Sequence, residues 1–409
     1  MGSEMCIRDS RYIVALRNLK TASGNVIPAP PGFRYYRDDI PSGNRLINSQ
    51  RDRFASIFRS LHGAGIARRS LYLAWDFTVA SDLNIAGRVL HMRDQAFRQL
   101  GDTDLDDRQV KGAAPAFTVT NVQSFTTVQD PNMAREVTGT FTVPCYLAPN
   151  CDALTDSRFD LNKGGVPVQH GTYQANFDCM IPHSAVDAPG ASPARASYYG
   201  HGLLGSAHEA VSDPQKSLGN SHNFVICATN ELGLSNPDIP NDVRVLADLG
   251  KFPEIADRLQ QGLLDELLLG RLMNNPSGFL THPAFHVSGV DTSSPPVLDT
   301  GHLYYNGNSQ GGIEGGALAA LSPDVTRASL GVPGMDYSVL LTRSVDFDQY
   351  ANLALYPNYP DELSRPLALT LIQMLWDRGE ADGYAQHMTS DPLPNTPAHT
   401  VLMLSLIHI

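Results

Sequence analysis

The segment Gly307-Asn308-Ser309-Gln310-Gly311 constrains this chain more than any other part of its sequence. It follows the apolar run Leu303-Tyr304-Tyr305 and opens a segment of small residues, Gly312 to Leu321. This order predicts a strand, a tight turn and a helix, with the serine at the apex of the turn. So sharp a turn needs small residues on both sides of the serine, because it crowds the neighbouring strand and helix.

A second glycine-rich motif precedes the first. The stretch Ser197-Tyr198-Tyr199-Gly200-His201-Gly202-Leu203-Leu204-Gly205 predicts a short apolar strand that runs into a loop. Backbone N–H groups in such a loop can point at a developing oxyanion. Together and in this order, the two motifs resemble the lipase and esterase branch of the α/β-hydrolases, over Arg195 to Met403. The resemblance implies an α/β fold with an α/β-hydrolase sheet.

The resemblance also implies roles for the residues of both motifs. Ser309 would be the nucleophile, and the backbone N–H groups of Leu203 and Gln310 would form the oxyanion hole. His201 and Gly202 would support the oxyanion loop. We expect the ring of His201 to brace this loop and not to act as the base, because the base in this fold comes after the serine.

A serine needs a base and an orienting carboxylate, and the sequence offers poor candidates for both. His387 and His399 follow Ser309, but neither lies in a loop beyond the last strand, and polar surface roles are expected for both. Asp336 occupies a position that some relatives use for the acid. The commoner position follows the next strand, predicted at His399 to Met403. We therefore expect the acid and the base to lie beyond Met403, and the chain to be C-terminally truncated and inactive by itself.

Both ends of the chain resemble translated sequencing adapter. Met1 to Ser10 looks like a transposase-type adapter, and Leu404 to Ile409 looks like the same adapter read in the opposite orientation. Neither segment is expected to be native, so both are excluded from the fold prediction.

Two domains are predicted between these ends. Residues 11–190 are expected to be rich in β structure, and their first strand and Gly-Asn turn resemble part of a bacterial immunoglobulin-like domain. One short helix is expected at Arg51 to His62, and Trp75 and Phe77 are expected to fill a core. Asp187 to Pro193 is the predicted linker. Residues 191–403 would form the incomplete hydrolase domain, with a helical cap at about 341–387.

Composition excludes several classes of function. The formal charge of -12 argues against a nucleic-acid partner, and no apolar run is long enough to cross a membrane. No cofactor or metal is predicted, since no His-Glu-x-x-His pattern occurs among the 13 histidines. For the cysteines we weigh one disulfide among Cys145, Cys151 and Cys179, with Cys227 a buried thiol, against reduced core cysteines.

The sequence thus predicts a serine ester hydrolase with an acyl-enzyme mechanism, secreted or on the cell surface, acting on a small-molecule or lipid ester. The alternative is a non-catalytic adhesion or binding protein that keeps a hydrolase-like fold. The oligomeric state and the identity of the ester stay open. The apolar residues of the predicted cap suit an acyl chain or an aromatic ester, and core packing explains them equally well: Leu353, Leu355, Tyr356, Tyr359, Leu371, Leu375 and Trp376.

Overall fold

The computed structural model of the chain describes residues 9–187 and 192–405. Residues 1–8 and 406–409 of the predicted adapter segments, and residues 188–191 of the predicted linker, lie outside the described residues. The chain divides into two compact units, Met1–Asn84 and Ile85–Ile409.

The strands are β1 Arg11–Arg17, β2 Leu71–Thr78, β3 Phe117–Ser124, β4 Met133–Pro144, β5 Leu147–Ala148, β6 Arg158–Phe159, β7 Thr172–Pro182, β8 Ala194–Gly200, β9 Phe224–Ala228, β10 Leu298–Asn308, β11 Val325–Gly331 and β12 Thr400–Leu404. The α-helices are α1 Pro31–Arg37, α2 Arg45–Ser49, α3 Arg51–Gly63, α4 Asp82–Ile85, α5 Gly87–Leu100, α6 His183–Val186, α7 Asp213–His222, α8 Ile239–Ala247, α9 Pro253–Asn274, α10 Gln310–Leu321, α11 Tyr337–Leu340, α12 Asp348–Tyr350, α13 Tyr356–Asn358 and α14 Ser364–Trp376. Short 3-10 helices include Ala207–Val211 and Ala381–His387.

The second unit is built on an eight-stranded sheet with the order β3-β4-β7-β9-β8-β10-β11-β12. The five adjacent strands β9, β8, β10, β11 and β12 run parallel to one another. Strands β3, β4 and β7 are antiparallel to their neighbours. From β8 the chain moves to β9 on one side and then to β10 on the other. The order therefore reverses between β8 and β10, and the carboxyl ends of strands at such a switch point form a crevice suited to a binding site. This is an α/β fold with the sheet of an α/β-hydrolase.

Helices α9 and α10 bury the parallel part of this sheet. In α9 the apolar stripe of Ile255, Leu259, Leu263, Leu267 and Leu269 is buried, and so are the polar residues between them, so the helix is buried on all sides from Glu254 to Asn274. Every residue of α10 is buried as well, because its glycines and alanines allow the helix to approach the strands closely. Strand β9 is a continuous apolar run from Phe224 to Ala228, as expected of a buried parallel strand.

The first unit contains one antiparallel pair of strands, β1 and β2, together with helices α1 to α3. The helix predicted at Arg51 to His62 is confirmed as α3. The core prediction for Trp75 and Phe77 is wrong, since these side chains are 40% and 46% exposed. A two-stranded pair has one face that packs on helices, here through Leu71 and Ala74, and its other face stays in contact with solvent.

The division between the units differs from the domain boundary expected near residue 190. Strands β3, β4 and β7 belong to the eight-stranded sheet of the second unit, although they precede that boundary. Val137 and Phe141 of β4 pack in the same hydrophobic core as Leu263 and Leu318, from α9 and α10. Alternation along a strand indicates which side chains point inward, but it does not identify the neighbouring strands.

Two disulfides join the four cysteines of the described residues, Cys145 to Cys151 and Cys179 to Cys227. The first pair agrees with the bridge considered from sequence. The interpretation of Cys227 as a thiol is wrong, because β7 and β9 are neighbours and place Cys179 directly opposite Cys227. This pairing depends on strand order, which cysteine spacing does not report. In the described residues, no helix combines the length and apolar character that a membrane span requires.

Removing the two disulfides is expected to destabilise the chain unequally. The bridges close loops of 48 and 6 residues, and loop entropy predicts losses of about 4 kcal/mol for a Cys179→Ala, Cys227→Ala double variant and about 2 kcal/mol for Cys145→Ala, Cys151→Ala. Urea unfolding of both variants without reductant measures the difference. Equal losses would contradict this loop-length argument.

Candidate active site

Ser309 lies at the turn between β10 and α10, at the switch point of the sheet. Its backbone has φ 57° and ψ −117°, a conformation that non-glycine residues rarely adopt. The Ser309 N–H donates to the carbonyl oxygen of Gly331 at 2.9 Å, which holds the turn against the end of β11. The side chain does not cap the helix that it precedes. The strand, turn and helix predicted around the serine are thus present, with Ser309 at the apex.

Glycines surround this turn because backbone atoms approach one another closely. A Cβ on Gly311 would lie 2.7 Å from the Cα of Gly200, and a Cβ on Gly307 would lie 2.6 Å from the carbonyl carbon of Gly311. The Gly311 N–H donates to the carbonyl oxygen of His201 at 2.8 Å. The first turn of α10 therefore packs directly against the loop that follows β8, which brings the two sequence motifs together.

The ring of His201 is fully buried within this loop. Its Nε2 accepts a hydrogen bond from the Glu231 N–H at 2.9 Å, so Nδ1 carries the proton and donates to the Gly202 carbonyl oxygen at 2.8 Å. Burial lowers the pKa of His201 to about 4, which keeps the ring neutral at pH 7. With both ring nitrogens engaged, His201 holds the loop and has no lone pair available to a reacting proton.

Hydrogen bonds fix the loop on both sides of Leu203. The Gly202 N–H donates to Glu209 Oε2 at 3.0 Å, and the Leu204 N–H donates to Gln310 Oε1 at 3.2 Å. Leu204 has a φ of 54°, the left-handed conformation. Leu203 lies between these two anchored residues. Gln310 directly follows the serine, and its side chain thus ties this end of the serine turn to the loop that contains Leu203. The N–H groups of Gln310 and Leu203 are the two predicted oxyanion donors.

Glu231 is a part of the site that the sequence did not reveal. Its Oε2 accepts a hydrogen bond from Gln310 Nε2 at 2.6 Å, while its backbone N–H binds His201. The residue follows β9 and is 1% exposed. It therefore contacts both motifs. Its position after the carboxyl end of a central strand is the only sequence signal that could have indicated it.

The carboxyl groups of Glu231, Glu266 and Glu314 are buried close to one another. Burial raises the pKa of Glu231 and of Glu314 well above the usual range, and the other carboxyl groups raise both further. Burial, followed by the charge of Asp265, raises the pKa of Glu266 to about 8. Burial therefore favours the uncharged form of each group, and a protonated acid can be buried without an ion partner.

The structure places His399 away from the serine. Both ring nitrogens of His399 lie 3.1 Å from backbone carbonyl oxygens, those of Met388 and Ser322. Ser322 follows the far end of α10, about 20 Å from Ser309 at 1.5 Å per residue. His387 is buried beside the Asp391 carbonyl oxygen. The surface roles expected for both histidines are wrong, since His387 and His399 are only 3% and 6% exposed.

Asp336 acts as the N-cap of α11. Its side chain accepts hydrogen bonds from the Val339 N–H and from Ser338 Oγ, at 3.2 and 2.6 Å. An aspartate at this position satisfies backbone donors that the helix leaves unpaired. Its contacts are therefore those of a helix cap.

No protein-family model matches this chain, and no curated protein matches it. Among solved structures, it is similar to acetyl xylan esterase 1 from Thermoanaerobacterium sp. JW/SL YS485, with 13% identity, a TM-score of 0.40, and coverage of 78% of this chain and 87% of that one. It is also similar to an acetyl xylan esterase from Paenibacillus sp. R4, with 13% identity, a TM-score of 0.38, and coverage of 78% and 92%. At these TM-scores the fold assignment rests on the strand order and the serine turn.

Gly311→Ala is expected to separate α10 from the loop after β8. The new Cβ would overlap the Gly200 backbone, and overpacking of this kind costs about 1–3 kcal/mol. Thermal unfolding should show a lower midpoint for this variant. In the control Gly32→Ala, the Cβ meets nothing within 4 Å, so its midpoint should not fall. A Gly311→Ala variant as stable as the parent would refute the close approach.

Glu266→Gln is expected to weaken the pH dependence of stability. Between about pH 4.5 and pH 8 the folded chain keeps a proton on Glu266 that the unfolded chain releases, so the free energy of unfolding falls as pH rises. A glutamine at this position does not titrate, so the difference in bound protons between the folded and the unfolded chain becomes smaller. Urea unfolding across this range should give a shallower slope for Glu266→Gln than for the parent. The slope should be unchanged in Glu362→Gln, whose side chain is 90% exposed.

Proposed function

We propose that this chain carries the nucleophile and the oxyanion hole of a serine hydrolase that cleaves carboxylic esters. The observation that supports this most is the strained backbone of Ser309 at the switch point, two residues before Gly311, whose backbone packs against the loop containing Leu203. A structural serine would not need such a conformation. Strain of this kind persists where the surrounding structure enforces it, and it is concentrated at functional sites.

In the proposed reaction, Ser309 Oγ bonds to the carbonyl carbon of the ester while its proton passes to a base. The carbonyl oxygen becomes an oxyanion, to which the N–H groups of Leu203 and Gln310 donate. Collapse of this intermediate breaks the bond to the alcohol, which leaves with the proton from the base. Water then attacks the acyl-enzyme, and the same groups release the acid and restore the serine.

The base and the carboxylate that orients it form the second part of the proposal. Within the described residues, the two histidines that follow Ser309 both bind backbone carbonyl groups, and Asp336 caps a helix. We infer that the base and the acid come from residues beyond Met403. The present chain should then be inactive, or nearly so, as an esterase.

An apolar acyl group is the substrate class that the helical segment 341–387 favours. Leu341, Leu355 and Trp376 of this segment form one hydrophobic cluster with Leu204 of the oxyanion loop and Ile313 of α10. Of the cap residues predicted from sequence, Leu355 and Trp376 are buried in this cluster, whereas Leu353 and Leu371 are 66% and 56% exposed. Core packing therefore explains the first two. The exposed pair supports a role of this cap in contacting an apolar ester, whether a small molecule or a lipid.

Secretion or display at the cell surface is the proposed location. The disulfides Cys145–Cys151 and Cys179–Cys227 require an oxidising compartment in most organisms. This argument concerns the compartment only and is independent of the ester chemistry.

A fluorophosphonate probe tests the proposed nucleophile. In the gene product extended beyond Met403, we expect covalent labelling that Ser309→Ala abolishes and that the exposed control Ser60→Ala leaves unchanged. The present chain should label far more slowly, because no base activates its serine. If the extended product does not label, the proposal fails, and a non-catalytic binding protein becomes the better interpretation.

A further inference from the structure

A cluster of three side chains lies beside the oxyanion loop and takes no part in the chemistry above. His208 Nδ1 is 2.9 Å from Asp178 Oδ2 and 3.5 Å from Glu136 Oε1. One potential ligand atom from each side chain lies within 4.8 Å of the other two. The side chains come from β4, β7 and the 3-10 helix Ala207–Val211, so three separate segments converge here.

Asp178 is the member that a simple ion pair does not explain. The residue is 5% exposed, and its Oδ1 has no hydrogen-bond partner in the part of the chain that the structure describes. Burial raises the pKa of Asp178 to about 6, and Glu136 raises it while His208 lowers it. A buried carboxylate oxygen without a partner is costly unless a cation or a donor reaches it.

Space for an ion is present on the open side of the cluster. Asp178 and His208 line a cavity of about 430 Å³, together with Thr138, Asn176, Ser206 and Asn230. The His208 side chain is 72% exposed and the Glu136 side chain 14% exposed. His208 can therefore adjust toward an ion, while Glu136 and Asp178 are held in the sheet.

We propose that Glu136, Asp178 and His208 bind a divalent cation of the zinc class. One imidazole nitrogen and two carboxylate oxygens form a ligand set that zinc accepts, with bonds of about 2.1 Å. Neighbouring ligand atoms around a tetrahedral ion are then about 3.4 Å apart, close to the separations of 2.9 and 3.5 Å seen at His208. On binding, His208 Nδ1 supplies a lone pair, and any proton it holds is released.

Such an ion would also restrain the oxyanion loop. His208 lies in the same short helix as Glu209, whose Oε2 accepts the hydrogen bond from Gly202. A cation bound to His208, Glu136 and Asp178 would connect this helix to β4 and β7. The site rests only on its own three side chains and does not depend on the proposed ester hydrolysis.

The sequence prediction of no metal site was based on local spacing. The three ligands are at positions 136, 178 and 208, and only the pairing of β4 with β7 brings the first two together. No short motif can report a site of this composition.

Isothermal titration of the chelator-treated chain with zinc chloride tests the proposal. We expect one ion per chain, an affinity that falls at least about tenfold in His208→Ala, and a zinc-dependent rise in the unfolding midpoint that this variant lacks. Asp178→Asn and Glu136→Gln should each weaken zinc binding in the same way. Glu136→Gln keeps the test decisive if Asp178→Asn does not fold.

The matched control is His302→Ala. His302 is also exposed, at 65% of its side chain, and pairs at 3.3 Å with one carboxylate, Asp299. Zinc affinity should be unchanged in this variant. Equal affinity in the parent and in His208→Ala, or no zinc binding by the parent, or binding of calcium in preference to zinc, would each overturn the proposal.

Discussion

The contact between two glycines, Gly200 and Gly311, is the constraint on which the rest of the site depends. Their backbones approach so closely that a Cβ on either residue would lie within 2.8 Å of the other residue's Cα. Only this approach allows the Gly311 N–H to reach the His201 carbonyl oxygen. Because β8 and β10 are adjacent parallel strands, the two turns leave the same edge of the sheet. The parallel pairing positions the turns, and the missing side chains let them touch.

Polar side chains then hold what the glycines bring together. Gln310 binds the Leu204 N–H through its oxygen and Glu231 through its nitrogen, while the Glu231 N–H binds His201. All three side chains are almost fully buried. In a water-free environment a carboxylate would be costly, and the raised pKa of Glu231 shows that the protonated form is favoured. Glu231 in its protonated form and the neutral ring of His201 would position the loop without placing a fixed charge beside the proposed oxyanion hole.

Helix α14, in the segment after β11, has apolar residues both on its buried face and on its exposed face. Leu369, Ile372 and Trp376 of α14 are buried in the cluster that includes Leu204 and Ile313. On the same helix, Leu367, Leu371 and Met374 are 56% to 64% exposed. Helices with one apolar face normally leave the other face to polar residues. An apolar solvent-facing side is therefore not required by the packing of this helix, and the proposed contact with an apolar ester rests on it.

Local features of the fold could be predicted from the sequence, and long-range ones could not. The strand, turn and helix around Ser309, the strand β9 and the helix α9 were predictable because each depends on residue order within about 20 positions. Trp75 was misjudged because size alone predicted burial, whereas burial depends on what covers each face of the sheet. Cys227 was misjudged because its partner is set by the neighbouring strand.

The same distinction explains why the two motifs of the candidate site could be predicted from the sequence and Glu231 could not. Ser309, Gln310, His201 and Gly202 lie in short motifs, where chemistry and backbone shape require particular residues at fixed spacing. Glu231 lies in no motif, since any strand in its position could deliver a carboxyl group to the same crevice. Its role follows only from the strand order, which places the end of β9 beside the end of β8. Sequence motifs thus identify the groups expected to touch the reacting atoms, whereas topology decides which side chains support them.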